Sequence, residues 1–377
     1  MPSKTFVVAT LASISCLAAY LIFVVPPSSR DLFPESIRAW ETGFYPDGLA
    51  LRRHYTGNYI LDRIFTAYGG FFAAVVDGRD LATHLFCLWF LPQLCSVLAF
   101  SYWEAGRAKS GFVTQYVLSY SRNSSSYASN SPMWVCIIAQ MCTAGVTLPL
   151  YFASHVLNIT HAPNVPLPFN APAKARMLLP AIAVGFLLPS VALLVPPPWV
   201  SLDGIQMISA FWQPFPAYIS ICLAALQYVD SGADKSNNAY FNPLKRTYII
   251  SGLLAAMIHI GVLAYTLTTS NPAASFTKVF VPFWFHQYLP NHQPEILAPY
   301  RLAGRLLFQH DWFTMTIAAF VFFSWQQQTS RPEQSFAAWT TKLHIITIVG
   351  GPGAAICWAA LKREEFIFEA RGGYKVE

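Results

Sequence analysis

Long apolar blocks separated by short polar breaks run along the whole chain, and many of the blocks are close to 20 residues long. A helix needs about 20 mostly apolar residues to cross the hydrocarbon of a bilayer. Windows of that kind predict helices over 5–25, 59–76, 82–103, 132–155, 177–196, 205–229, 247–267, 306–325 and 343–361. The first, TFVVATLASISCLAAYLIFVV, exceeds the roughly 7–15 apolar residues of a cleavable signal and reads as a retained anchor. The second carries Asp62 and Arg63 in its first turn, which makes it the least apolar at its start. The pattern predicts an all-α, polytopic transmembrane bundle of eight or nine spans. With no linker or composition shift, residues 1–377 form a single integral membrane domain.

Composition agrees with the pattern. Hydrophobic residues make up 54% of the chain and charged ones only 11%, against roughly 25% charged in soluble domains. The seven cysteines fall inside apolar blocks without CxxC pairs or metal-like spacing to histidine. They read as small buried hydrophobes, so neither disulfides nor a zinc site is predicted. The net charge of +6 is scattered without a basic run, and no nucleic-acid partner follows from it.

Alternating spans put 30–55, 104–131, 197–204, 268–305 and the C-terminus on one side. That side holds 14 of the 24 lysines and arginines against nine opposite, which predicts it to be cytosolic, with the endoplasmic reticulum as the expected membrane. Of the two sequons, Asn123 then faces the cytosol and Asn158 the lumen, next to the membrane. The segments 121–132 and 163–172 read as polar and Pro-rich loops. The aromatic stretch 277–290 reads as an interfacial helix or lid.

Candidate chemistry is sparse, which makes each ionisable group informative, because charge in or beside hydrocarbon is expensive. Asp62 opens the second span, Glu104 closes the third and Asp311 opens the eighth, so the alternation places all three acids at one shared mouth. Each also has a structural reading. Glu104 has Arg107 at i+3, an ion-pair spacing on a helix. Asp62 can pair with Arg63 or cap its helix, and Asp311 can be a helix-start acid favoured by the dipole. Gln309 and His310 beside Asp311 suggest a hydrogen-bonded acid site instead. Gln213 neighbours the helix breakers Pro214 and Pro216 and either satisfies the kink or meets a ligand. His155 reads as an interfacial anchor, His259 as a buried structural histidine, and Asp203 and Glu295 as solvated loop acids.

Missing motifs narrow the chemistry. The chain has no DDxxD, DxDD, GxSxG, P-loop, HExxH or Gly-rich nucleotide fingerprint. Asp77 and Asp80 in VVDGRDLA form an isolated DxxD. No metal and no cofactor is predicted, and diphosphate ionisation, acyl transfer, ATP coupling and electron transfer lose ground. What remains is a set of acids among 29 Phe, 18 Tyr and 11 Trp. A buried carboxylic acid can protonate an alkene or epoxide, and aromatic faces stabilise the resulting cation in a dry cavity. Aromatics also serve as lipid-facing bulk and interface belts in any membrane protein.

Four stretches carry a resemblance: YTGNYILDRIFTAYGGFFAAVVDG (55–78), FSYWEAGR (100–107), LLFQHDWF (306–313) and GGPGAAICWAALKREE (350–365). In these the chain resembles the fungal membrane-bound terpene cyclases of the ascofuranone and ascochlorin pathway type, with relatives in indole-diterpene clusters. The resemblance implies cyclisation of a prenyl chain, often already epoxidised, on an aromatic or indole headgroup in secondary metabolism. It implies an isomerase or lyase type of reaction without a cofactor, and a functional link to a prenyltransferase and an epoxidase. Asp62, Glu104 and Asp311 sit in the matching stretches. Asp311 is then the expected proton donor, with Glu104 or Asp62 holding the proton in place or deprotonating the final cation. His310 stands where the resemblance leads one to expect an aromatic residue. The alternative is a non-enzymatic transporter or scaffold that uses the same acids to move ions or protons.

Overall fold

A computed structural model describes residues 2–25, 33–45, 47–105, 132–158, 171–230, 239–282 and 299–371. Its regular elements are helices: α1 (Lys4–Val24), α2 (Phe33–Thr42), α3 (Tyr59–Val76), α4 (Leu81–Glu104), α5 (Pro132–Cys142), α6 (Ala144–Asn158), α7 (Ala171–Leu193), α8 (Leu202–Trp212), α9 (Phe215–Val229), α10 (Phe241–Thr268), α11 (Phe276–Phe280), α12 (Pro299–Ser330) and α13 (Phe336–Ala370). Small polar residues start many of them. The Ser3, Asn58, Ser201 and Ser335 side chains accept from first-turn amides of α1, α3, α8 and α13, satisfying donors that a helix leaves free at its N-terminus. Most apolar faces meet in a large core around the largely buried α4 and α12, and a smaller cluster gathers Ala39, Tyr45, Leu49, Leu51, Ala74 and Tyr300.

Among the described residues, seven helices are long and apolar enough to cross a membrane, or eight if α8 and α9, bent by 58°, count as one span. The predicted all-α polytopic bundle is therefore what the chain forms. The bend falls at Gln213–Pro214, where the missing proline N–H ends α8. Gln213 Nε2 donates back to Ser209 O at 3.2 Å, so this side chain serves the kink, and it does not line the cavity described below.

Two predicted spans turn out differently. In place of one helix over 132–155, α5 and α6 meet at Thr143, whose φ is +70°. With 11 and 15 residues, they extend only about 16 and 22 Å, too short to cross about 30 Å of hydrocarbon. Cys136 in α5 neighbours both Tyr102 and Tyr151, and farther along α6 Phe152 and His155 pack on Phe100 of α4. The chain therefore enters from the Glu104 face, reverses at Thr143 and returns to the same face. There Lys174 Nζ, at the start of α7, donates to Trp103 O at 3.3 Å. Asn158 lies on this face, not opposite it as the span count implied. His155 is buried among Phe100, Tyr151 and Phe322 and is not an interfacial anchor.

The predicted span 343–361 lies within α13, which is broken at Gly351 (φ 82°, ψ 162°). A straight helix would separate its ends by about 50 Å. Instead Trp339 packs on Trp358 at 4.5 Å between ring centroids, and Arg331 reaches Glu369 at 2.7 Å. The two arms form a second re-entrant hairpin. Its tip is pinned by Gln93, which accepts from Gly353 N and donates to Ala255 O, each at 2.8 Å. His259 accepts from Trp89 Nε1 at 2.9 Å and meets Ile348 O at 3.1 Å, the buried structural role predicted for it. The turn at 331–335 and the C-terminal end therefore share the Glu104 face, where one crossing would separate them. Reporter tags in the 331–335 turn and after residue 371 are expected to register in the same compartment. Opposite compartments would refute the reversal.

The start of α12 lies at the other face. Arg301 forms a bidentate pair with Asp77, at 2.9 and 2.8 Å, and Arg305 bonds Asp80 at 2.7 and 2.8 Å. Asp77 and Asp80 cap the two sides of the α3–α4 turn, so α12 runs from that turn toward the Glu104 face. The alternation had put its start at the Glu104 face. The reversal at Thr143, which precedes α12 in the chain, is the reason for the discrepancy.

Candidate active site

The three candidate acids do not share a mouth. Asp62 is 4% exposed and accepts from the amides of Tyr55, Thr56 and Gly57 and from the Thr56 hydroxyl. It fastens the turn ahead of α3, which is a capping role. Glu104 is paired with Arg363 through two bonds of 2.7 and 2.8 Å, and the same guanidinium bonds Glu364 at 2.8 Å. This pair ties α4 to the returning arm of α13. Arg107, the predicted partner of Glu104, lies outside the described residues, as do Asn123 and Glu295. Asp203 is exposed but bonds Arg52 at 2.5 Å.

Asp311 alone of the three lines a largely apolar chamber of about 340 Å³. It sits 12 residues into α12, about 18 Å from the helix start, and not at an entrance. The broken helix reaches it there. Gly145 N donates to Asp311 Oδ1, and Ala144 N donates to Oδ2 at 3.2 Å. These are amides of the first turn of α6, which a helix leaves without internal partners and which attract negative charge. Gly145 makes the approach possible, because a Cβ there would run into the Thr314 hydroxyl and the Asp311 backbone.

The rest of the chamber is mostly aromatic and aliphatic. Tyr68, Phe71 and Phe72 come from α3, Phe90 and Leu94 from α4, Trp212 and Phe215 from α8 and α9, and Phe308 from α12. Phe72 stands 5.2 Å from Trp212 and 5.4 Å from Phe308, ring to ring, and Trp212 stands 4.9 Å from Phe215. Polar lining is concentrated in Asp311, Thr143, Gln140 and Tyr68. An acid at one side of an aromatic chamber can deliver a proton and leave the resulting cation facing π-electrons instead of water.

Gln309 and His310, the sequence neighbours of Asp311, do not line this chamber. Gln309 donates to Val279 O at 2.8 Å, which holds α11 against the bundle, and His310 is buried outside the cavity lining. Both oxygens of Asp77 and of Asp80, the isolated DxxD, are engaged by arginine. No group of three or more metal-ligating side chains occurs among the described residues. Sequence reasoning missed Thr143, Gly145 and Arg363. The run CTAGVT, small and polar inside an apolar block, was the available signal for the first two.

Fold and chamber define a multi-pass membrane protein with a buried acid set in an aromatic cavity. The chain belongs to the CtvD domain family, whose match runs over residues 7–368. Terpene cyclase ascI of Acremonium egyptiacum is 23% identical over 241 residues, 60% of this chain and 57% of its own length. Terpene cyclase DEP1 of Fusarium langsethiae is 24% identical over 341 residues, 85% of this chain and 88% of its own. Terpene cyclase DEP1 of Alternaria brassicicola is 22% identical over 347 residues, 86% and 89%. The chain thus spans little more than half of the first relative and most of the other two. The resemblance to fungal membrane terpene cyclases holds. No solved structure matches it.

Proposed function

We propose that the protein is a terpene cyclase that closes rings on the epoxidised prenyl chain of a meroterpenoid or indole-diterpene intermediate. The observation that carries this reading is Asp311, a carboxyl group in a mostly aromatic and aliphatic chamber. The Asp311 proton passes to the epoxide oxygen as a C–O bond breaks, and the electron pair of that bond goes to the oxygen. The π-electrons of the next alkene attack the electron-poor carbon and form the ring bond. The last cation loses a proton to a base, so the reaction is a net isomerisation. The amides of Ala144 and Gly145 receive the charge that develops on Asp311, a stabilisation that grows toward the transition state.

Glu104 and Asp62 are assigned to structure, not to proton transfer, because their partners occupy them away from the chamber. The protein is placed in the endoplasmic reticulum with the Glu104 face and C-terminus in the cytosol, and downstream of a prenyltransferase and an epoxidase. The test is expression in a host fed phenols that carry epoxidised geranyl, farnesyl or geranylgeranyl chains, with products read by mass spectrometry and NMR. A cyclised isomer is expected from at least one of them. Recovery of all three unchanged would refute the reading and favour the transporter or scaffold alternative.

Proton-initiated opening of an epoxide needs no diphosphate-binding metal. Turnover in washed membranes is expected to survive EDTA. Loss on chelation, restored by Mg²⁺, would point to diphosphate ionisation.

A further inference from the structure

Thr143 is the only residue other than glycine held at positive φ among the described residues. A β-branched side chain in that region strains its own backbone, and such strain persists where the surroundings impose it, often at functional sites. Glycine is the usual solution, and the tip of the second hairpin uses it, with Gly351 at φ +82°. The first tip instead keeps a threonine. Its side chain lines the chamber, and its buried Oγ1 faces the Asp311 carboxyl group closely but makes no well-formed hydrogen bond among the described residues. Buried hydroxyls in native proteins are nearly always paired.

We propose that Thr143 contacts the substrate and sets its specificity: its hydroxyl donates a hydrogen bond to an oxygen at the reacting end of the prenyl chain, next to Asp311. The strained backbone is what aims this hydroxyl into the chamber. A chain bearing an epoxide satisfies it, and the parent alkene leaves it only its poorly aligned contact with Asp311. The proposal rests on the cyclase reading above and adds to it the choice of an oxygenated substrate.

The test uses Thr143→Gly, Thr143→Val and Thr143→Ser in the full chain, with thermal unfolding in detergent and kcat/KM measured on the same preparations. The probes are the three epoxidised prenyl phenols. Thr143→Gly is expected to unfold at or above the wild-type temperature, yet to lose about tenfold in kcat/KM, the worth of one neutral hydrogen bond. Thr143→Ser keeps the hydroxyl and is expected to retain most activity, and Thr143→Val is expected to match Thr143→Gly. A purely structural threonine gives a different result, in which stability and activity fall together. Wild-type kcat/KM in folded Thr143→Gly would overturn this proposal and leave the cyclase reading intact. Failure of the wild type to convert any probe would overturn both.

Discussion

Asp311→Asn is expected to lower turnover at least about a hundredfold while the protein still folds. General acid catalysis contributes typically 10²–10⁴-fold, and asparagine has no proton of comparable acidity to transfer. The amide oxygen can still accept from Gly145 N, so the tip of the first hairpin keeps one of its two anchors. Loss of the longer bond from Ala144 N costs on the order of 1 kcal/mol. Product formation per folded molecule is the measurement, with detergent melting as the control. If Asp311 only holds α6 in place, the variant should instead lose melting temperature and yield while its specific activity stays near normal. Wild-type turnover from folded Asp311→Asn would falsify the assignment.

The largest loss of stability is expected from Arg301→Met. Arg301 is 3% exposed and bonds Asp77 twice, Asp47 at 2.8 Å and the Ala74 carbonyl. Removing one member of a buried pair leaves the other charge without compensation, at a cost on the order of 3–5 kcal/mol. That is a large share of a typical folding free energy of about 5–15 kcal/mol. A sharp fall in melting temperature and in the yield of monodisperse protein is expected. Adding Asp77→Asn in the same chain should recover part of the loss, because the orphaned charge is then removed. An unchanged melting temperature in the single variant would show the clamp to be dispensable.

Most long helices were legible because each is a continuous apolar run, a signal that needs no knowledge of neighbours. The kink at Gln213 was legible for a similar local reason, the prolines at 214 and 216. The reversals at Thr143 and Gly351 were not. Hydropathy averages over a window and cannot tell a helix that crosses from two half-helices that fold back. The unread reversal at Thr143 also inverted the sides assigned to the loops after it, which is how Asp311 came to be placed at a mouth with Glu104 and Asp62. Asp311 itself was visible as an acid in an apolar block. Its partners were not, because a backbone amide leaves no mark in a sequence, and Arg363 lies 259 residues from Glu104 along the chain.

The bond between Ala144 and Asp311 spans 167 residues, and this matters while the chain is being made. At about 5–20 residues per second, the ribosome delivers Asp311 roughly ten to thirty seconds after the amides that it accepts from. During that interval the newly made half-helix has only earlier segments to lean on, among them Ser15, whose hydroxyl donates to Val146 O at 2.8 Å. The first hairpin therefore reaches its final seat after translation has moved far past it, and the nascent protein must shelter two uncapped peptide groups in lipid until α12 arrives.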